Sequence, residues 1–440
     1  MKKFIIIFSL FSTLGIASEV LLDQKIQHYV KQFQLRPLGS IPKERKAVVI
    51  LGRELFFSKT LSGNKNISCS TCHHPKFGSS DGLPLPIGEG GMGTGNTRFQ
   101  GRGKVIPRNA PDLFNRGYPS FDKMFWDSRV SMNVKKKTFS TPEPSFNGVN
   151  PKNKVITRMF STALDAQAIF PLVSHDEMRG KKGTNEIADA PNNLIAWQRI
   201  VQRVLNDYEL SSLLRKAYPG VRKFNIGHIG RAIGAFESVA FKANNTQWDK
   251  YLRGSRVALD LKSKKGFLVF VEKGQCINCH NGAHFTNLGF RSVATPQIGP
   301  GKNKKNKDYG LYHLTKNPKH KYLFKVPPLR NLIFTAPYMH DGSLLTLKEV
   351  IDHYDEPFKS LDAYSTDKIE NKYSRNYNRT LNTELDLNEL TEIKKFATPI
   401  LRGHQKHFTD IEKDQLLHFL TFALTDRSFQ RRFMYIMDMK

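Results

Sequence analysis

The sequence predicts a mainly α-helical chain folded as two domains of the same kind, with long loops between and over them. Three observations predict it. The chain has 440 residues, too many for one ordinary core. Its apolar residues recur at helical spacing, while strand-like alternation is scarce. All four cysteines fall in two copies of one pentapeptide, about two hundred residues apart. With 39% apolar and 24% charged residues, the composition is that of a globular chain.

The elements follow in order. "MKKFIIIFSLFSTLGIASEV" has a basic start, a short apolar run and an exit of small residues. That pattern predicts a secretory signal peptide over 1–18, cleaved near Ala17 or Ser18, and a periplasmic destination. No cysteine follows it closely, so a lipoprotein anchor is not expected. No later stretch approaches the continuous apolar length of a membrane span, so the mature chain is expected to be soluble. The first domain is expected over 24–220, with Val48, Leu51 and Leu55 on one helical face. The second is expected over 221–440. Ile226, Ile229, Ile233 and Phe236 share one face there, and Leu416, Leu417, Leu420 and Leu424 form another stripe, capped by Thr409 or Asp410. Residues 81–108 are rich in Gly, Pro and Arg and read as a loop. "GEGGMG" at 88–93 fits a dinucleotide fingerprint in form, but it follows no strand and lacks the acidic partner, so it is rejected. Residues 134–155 and 299–321 are rich in Lys and Asn and are expected to be exposed loops.

The formal charge of +29 is spread along the chain. It favours acidic partners or anionic surfaces; an evenly solvated lysine-rich surface is the plainer reading. No nucleic-acid motif accompanies the charge, so nucleic acid is not an expected partner.

The pentapeptides carry the chemistry. They are Cys69, Cys72 and His73, then Cys276, Cys279 and His280, each Cys-x-x-Cys-His. This order suits covalent attachment of c-type haem. Two thiols add to the vinyl groups on one porphyrin edge, and the next residue carries an imidazole under the ring to ligate iron. A four-cysteine zinc site leaves both histidines unexplained. A thioredoxin-like pair needs a strand–helix context that is missing. Two disulfides are the remaining alternative in an oxidising compartment. "LGRELFFSKTLS" leads into the first motif and "KKGFLVFVEKG" into the second, with Phe77 and Phe285 soon after each. The two halves therefore read as related haem domains.

Several further stretches make the chain resemble the bacterial di-haem cytochrome c peroxidase family, including its MauG-like branch. They are "LGRELFF", "PRNAPDLFN", "FWDSR", "AQAIFPLVSHDEMRG", "GRAIGAFES", "FKVPPLRN" and "TAPYMHDGSLLTLKEVIDHYDE". The resemblance runs from about Gln34 to the last helix. It implies two cytochrome c-like haem domains: the N-terminal haem reacts with hydrogen peroxide, and the C-terminal one passes electrons or stores an oxidising equivalent. It places Glu177 as the acid–base group over the first haem, with Gln167 beside it, although a lone Glu177 would read as a surface acid. It places Trp126 between the haems as an electron relay, a role compatible with a buried core aromatic. It implies a calcium ion between the domains, held by the Asn109 side chain and the Thr335 and Pro337 carbonyls, an all-oxygen set that suits a hard cation. His340 and Arg330 are expected near the second haem or its propionates, or in structural roles.

Two departures from the family's main branch matter. Members of that branch carry a histidine, in the loop before "RN", that caps the peroxidatic iron at rest. No histidine lies between Pro75 and Asn109 here, so the first haem is expected to be open to peroxide. The main branch also uses a methionine as the second haem's sixth ligand. The matching position here is Tyr354, as in the MauG-like branch. Thr346 and Glu349 predict a capping box and a helix from about Leu347, which puts Leu347, Val350, Ile351 and Tyr354 on one face. A phenolate stabilises ferric iron. His353 is the rival ligand, about 100° around the helix, and a core tyrosine not bound to iron is the other alternative.

The leading expectation is a peroxidase that reduces hydrogen peroxide to water with electrons from a small redox protein such as cytochrome c, acidic if charge selects it. The alternative is a MauG-like enzyme that oxidises aromatic residues of a partner protein. A non-catalytic di-haem electron carrier is the third reading. A homodimer is common in the family, and no interface signature stands out.

Overall fold

The computed structural model describes residues 19–303, 306–378, 381, 387–402 and 406–439. The expected signal peptide over 1–18 lies outside them. The described residues are mainly helical, with 46% helix and 6% strand. No helix among the described residues is long and apolar enough to cross a membrane.

Two pairs of helices organise the molecule, and each pair includes the helix that leads into a cysteine motif. Helix Lys46–Phe57 buries Val48, Leu51, Leu55 and Phe56 against helix Ile226–Ala240. The helices approach so closely that a Cβ at Gly52 would collide with the Ala232 carbonyl oxygen. Helix Leu261–Val271 packs on Asp410–His418 in the same way, and a Cβ at Gly266 would collide with the Gln415 carbonyl oxygen. The likeness between the two leader segments is thus a likeness of packing: a glycine lets each leader helix seat against its partner.

Two large apolar cores result. The first gathers Leu51, Phe56, Phe114, Leu172, Trp197 and Phe236. The second gathers Trp248, Phe267, Phe270, Phe285, Phe419 and Leu420. Packing crosses both ranges expected from the sequence, 24–220 and 221–440. The helix over 19–32 sends Ile26 into the second core, whereas helix Phe429–Met437 sends Phe429, Phe433 and Ile436 into the first. Helix Ile226–Ala240 also belongs wholly to the first core.

Among the described residues the strands form two small sheets, with isolated bridges beside them. Lys123–Met124, Val130–Asn133 and Thr138–Ser140 form one antiparallel sheet, and Phe290–Arg291 pairs with Phe324–Lys325 in the other. The loop over 81–108 is held by the buried Arg98. Its guanidinium donates to the carbonyls of Ile87 at 2.7 Å, Gly88 at 2.6 Å and Gly93 at 2.8 Å. The carbonyls of the glycine-rich run therefore converge on a cation, the opposite of a phosphate cradle.

Candidate active site

Cys69 and Cys72 stand one turn apart on the short helix Cys69–Cys72, which is opened by a capping box of Ser68 and Thr71. Cys276 and Cys279 bracket the turn Cys276–Asn278. All four thiols are unpaired, so the disulfide alternative falls away. The two following histidines are held alike. His73 Nδ1 lies 2.9 Å from the Ser79 carbonyl oxygen, and His280 Nδ1 lies 3.0 Å from that of Phe285. A ring whose Nδ1–H donates to a carbonyl keeps its lone pair on Nε2, the tautomer that ligates a metal. Burial lowers the pKa of both rings, His280 to about 4, so both are neutral near pH 7. Free thiols, short turns and a fixed ligating tautomer fit a covalently attached haem at each motif.

Cys276, Cys279 and His280 line a large apolar cleft, about 1820 Å³ of empty space including its open mouth. Tyr354 faces the same cleft. It is carried by helix Leu347–Asp355, which starts where the capping box requires: Thr346 Oγ1 accepts from the Glu349 amide at 3.1 Å, and Glu349 Oε2 accepts from the Thr346 amide at 3.1 Å. Leu347 and Ile351 are buried on that helix. The Tyr354 phenol has no hydrogen-bond partner among the described residues, and burial raises its pKa. His353, the rival, is engaged at both nitrogens: Nδ1 is 3.0 Å from Ser360 Oγ, and Nε2 is 2.7 Å from the Val293 carbonyl oxygen. It has no lone pair to offer the cleft.

Trp126, Asn109, Thr335 and Pro337 also line this cleft. Trp126 Nε1 donates to the Asn109 carbonyl at 2.9 Å. The Asn109 amide donates to the His340 carbonyl at 2.7 Å, and its Nδ2 to the carbonyls of Leu83 at 3.0 Å and Pro84 at 3.1 Å. These bonds use the donors of Asn109 and leave Oδ1 as the side-chain acceptor. His340 lines the cleft, stacked on Phe324 with ring centres 3.6 Å apart. Arg330 does not: it forms a buried two-point ion pair with Asp249, at 2.7 and 2.9 Å, and also donates to the Ala283 carbonyl. Of its two expected roles, the structure supports the structural one.

Gln167 and Glu177 lie in the other half, next in the chain to Ala166, Ala168 and Met178 of the first core, against which Cys69 and Cys72 also pack. Gln167 ends helix Ala163–Gln167, and Glu177 sits in one turn of π-helix, His175–Arg179. Arg129 Nη2 is 4.0 Å from Glu177 Oε1. Burial raises the Glu177 pKa, while Arg129 and then Lys302 lower it. Arg129 was not anticipated from sequence, although it ends the quoted "FWDSR". Its guanidinium stacks 3.5 Å from the centre of the Phe125 ring and reaches Asp127 at 3.2 Å. Asp127 is bound to Arg108 at 2.7 Å, and Arg108 to Asp308 at 2.6 Å. The segment 125–129 thus serves both halves: Trp126 faces the Cys276 cleft, and Arg129 faces Glu177.

A family model described as di-haem cytochrome c peroxidase matches residues 46–257. The methylamine utilization protein MauG of Methylorubrum extorquens is 27% identical over 310 residues, covering 70% of this chain and 68% of that protein. Cytochrome c551 peroxidase of Pseudomonas aeruginosa is 26% identical over 332 residues, covering 75% of this chain and 76% of that protein. The crystal structure of a MauG-like protein associated with microbial copper homeostasis has the same fold, with a TM-score of 0.59 at 23% identity over 90% of this chain and 95% of that one. Two c-type haems, one at each motif, follow from this kinship and from the geometry of the thiols and imidazoles. Residues 46–257 thus match the di-haem cytochrome c peroxidase family, whose named relatives extend over most of the chain, and the protein is an oxidoreductase.

Proposed function

We propose that the chain is a periplasmic di-haem peroxidase of two cytochrome c-like domains that reduces hydrogen peroxide to water with electrons from a small redox protein. The observation that carries this reading is the pairing of Glu177 with Arg129 in the half that bears Cys69, Cys72 and His73. When bound there, haem supplies the iron at which peroxide is held and its O–O bond cleaved. Glu177 does the proton work: its carboxylate takes the proton of one peroxide oxygen and returns it to the departing one. Gln167 orients the peroxide by hydrogen bonding. Arg129 keeps the carboxylate ionised in a poorly solvated pocket. Two electrons and two protons per peroxide complete the balance to two waters, and Trp126 is the aromatic relay between the halves. Asn109 Oδ1 and the carbonyls of Thr335 and Pro337 would hold a calcium ion.

Tyr354, which lines the same cleft as His280, would complete the ligand set of an iron held there. This residue and the absence of histidine between Pro75 and Asn109 favour a second reading, a MauG-like enzyme that oxidises aromatic side chains of a partner protein. Spectra and peroxide titration of the purified ferric holoprotein separate the readings. One high-spin and one low-spin haem, with steady turnover of a reduced small cytochrome, supports the peroxidase. A long-lived oxidised spectrum without such turnover supports the second reading. Two low-spin haems inert to peroxide would leave only an electron carrier.

A further inference from the structure

Lys325 stands on the short strand Phe324–Lys325 and lines the cleft of Cys276, Cys279 and His280. Only 6% of it is exposed, yet it takes part in no ion pair and donates no side-chain hydrogen bond among the described residues. Its ammonium is 4.8 Å from the centre of the Phe121 ring, which Arg116 also approaches, at 4.3 Å. Arg116 and Lys123 repel it, and the two acids that favour it are already bound elsewhere, Asp112 to Arg116 at 2.8 Å and Asp127 to Arg108 at 2.7 Å. Burial and these cations push its pKa well below the usual lysine range. A buried ammonium is normally paired. Lys264, equally buried, shows the rule in this chain, with Asp23 at 3.1 Å and Glu19 at 2.8 Å. Lys325 therefore awaits an anion that enters the cleft with a ligand.

Its position indicates which anion. A porphyrin tethered by thioethers at one edge carries its two carboxylates at the opposite edge. Lys406, the other lysine of the cleft, lies near Cys276. Lys325 lies at the Trp126 end, where its amide donates to the Trp126 carbonyl at 2.8 Å. We infer that Lys325 is the counter-ion of a carboxylate of the haem tethered at Cys276 and Cys279, fixing that end of the haem beside Trp126 and holding its potential up. The inference rests on haem attachment and not on the peroxide reaction, so either can fail without the other.

The test is a redox titration of purified holoprotein and of Lys325→Gln and Lys325→Arg, with the two haems followed separately by their spectra. Removing a cation near iron favours the ferric form. Lys325→Gln is expected to lower the equilibrium constant for reducing the Cys276–Cys279 haem about tenfold, or about 59 mV for one electron, while Lys325→Arg stays within about threefold of wild type. An unchanged constant in Lys325→Gln, or a change confined to the haem at Cys69 and Cys72, overturns the proposal. If neither variant loads haem, a crystal structure of the wild-type holoprotein decides. An ammonium about 3 Å from a haem carboxylate oxygen supports the inference, and carboxylates bound elsewhere overturn it.

Discussion

Glu177 is subject to two opposed influences: burial raises its pKa, and Arg129 at 4.0 Å lowers it. Glu177→Gln, which keeps the shape and removes the proton acceptor, is expected to slow the reaction of ferric protein with peroxide about 10²–10⁴-fold in stopped-flow; a near-normal rate would move the acid–base role elsewhere. Arg129→Gln removes the cation that favours the carboxylate, so the Glu177 pKa rises. Because the base acts when deprotonated, the acid limb of the pH–rate profile should move to higher pH, whereas a merely structural Arg129 would lower the rate at every pH alike. Tyr354→Phe should change the low-spin spectrum, with His353 unable to substitute because both its nitrogens are engaged; an unchanged spectrum would remove Tyr354 from the iron. The haem motifs were legible in the sequence because tethers and ligand are adjacent in the chain. Arg129 and Lys325 also lay inside recognisable stretches, but nothing local distinguishes a charge aimed into a cleft from one in water. What sets them apart is a partner from a distant segment, or the lack of one.

Among the elements, the leader helices depend on their glycines. Gly52→Ala and Gly266→Ala each place a methyl against a backbone carbonyl that cannot swing aside. Each is expected to destabilise the holoprotein by about 1–3 kcal/mol, read as a lower denaturant midpoint at unchanged slope; values indistinguishable from wild type would mean that the helices separate freely. The apolar stripes of these helices and the Thr346–Glu349 cap were legible, since period and capping chemistry are local. The turn holding Glu177 was not, because a single π-helical turn has no period of its own. The lysine-rich run 299–321 was expected to be exposed, yet its Asp308 is buried on Arg108, two hundred residues away in sequence. Composition reports the average of such a run and misses the one acid that a buried arginine requires.

At the scale of the molecule, each terminal helix lies on the core of the other half, so the cores are laced together. An electron donor must then approach a chain that carries a formal charge of +29. Many of its lysines are already matched on the surface, as in Lys348 with Asp352 and Lys359 with Glu356, but the excess is too large for such pairs to cancel. That field should steer an acidic donor. The second-order rate of electron uptake from an anionic redox protein is therefore expected to fall steeply as salt shortens the Debye length from about 10 Å at 0.1 M to about 3 Å at 1 M, while a cationic donor should be slow at low salt and gain as salt is added. Steering acts on encounter, so the maximal turnover of either donor should change far less than its second-order rate. A rate with the anionic donor that is flat across this range would mean that the basic surface does not recruit the donor, and that docking relies on a neutral patch near one of the haem edges.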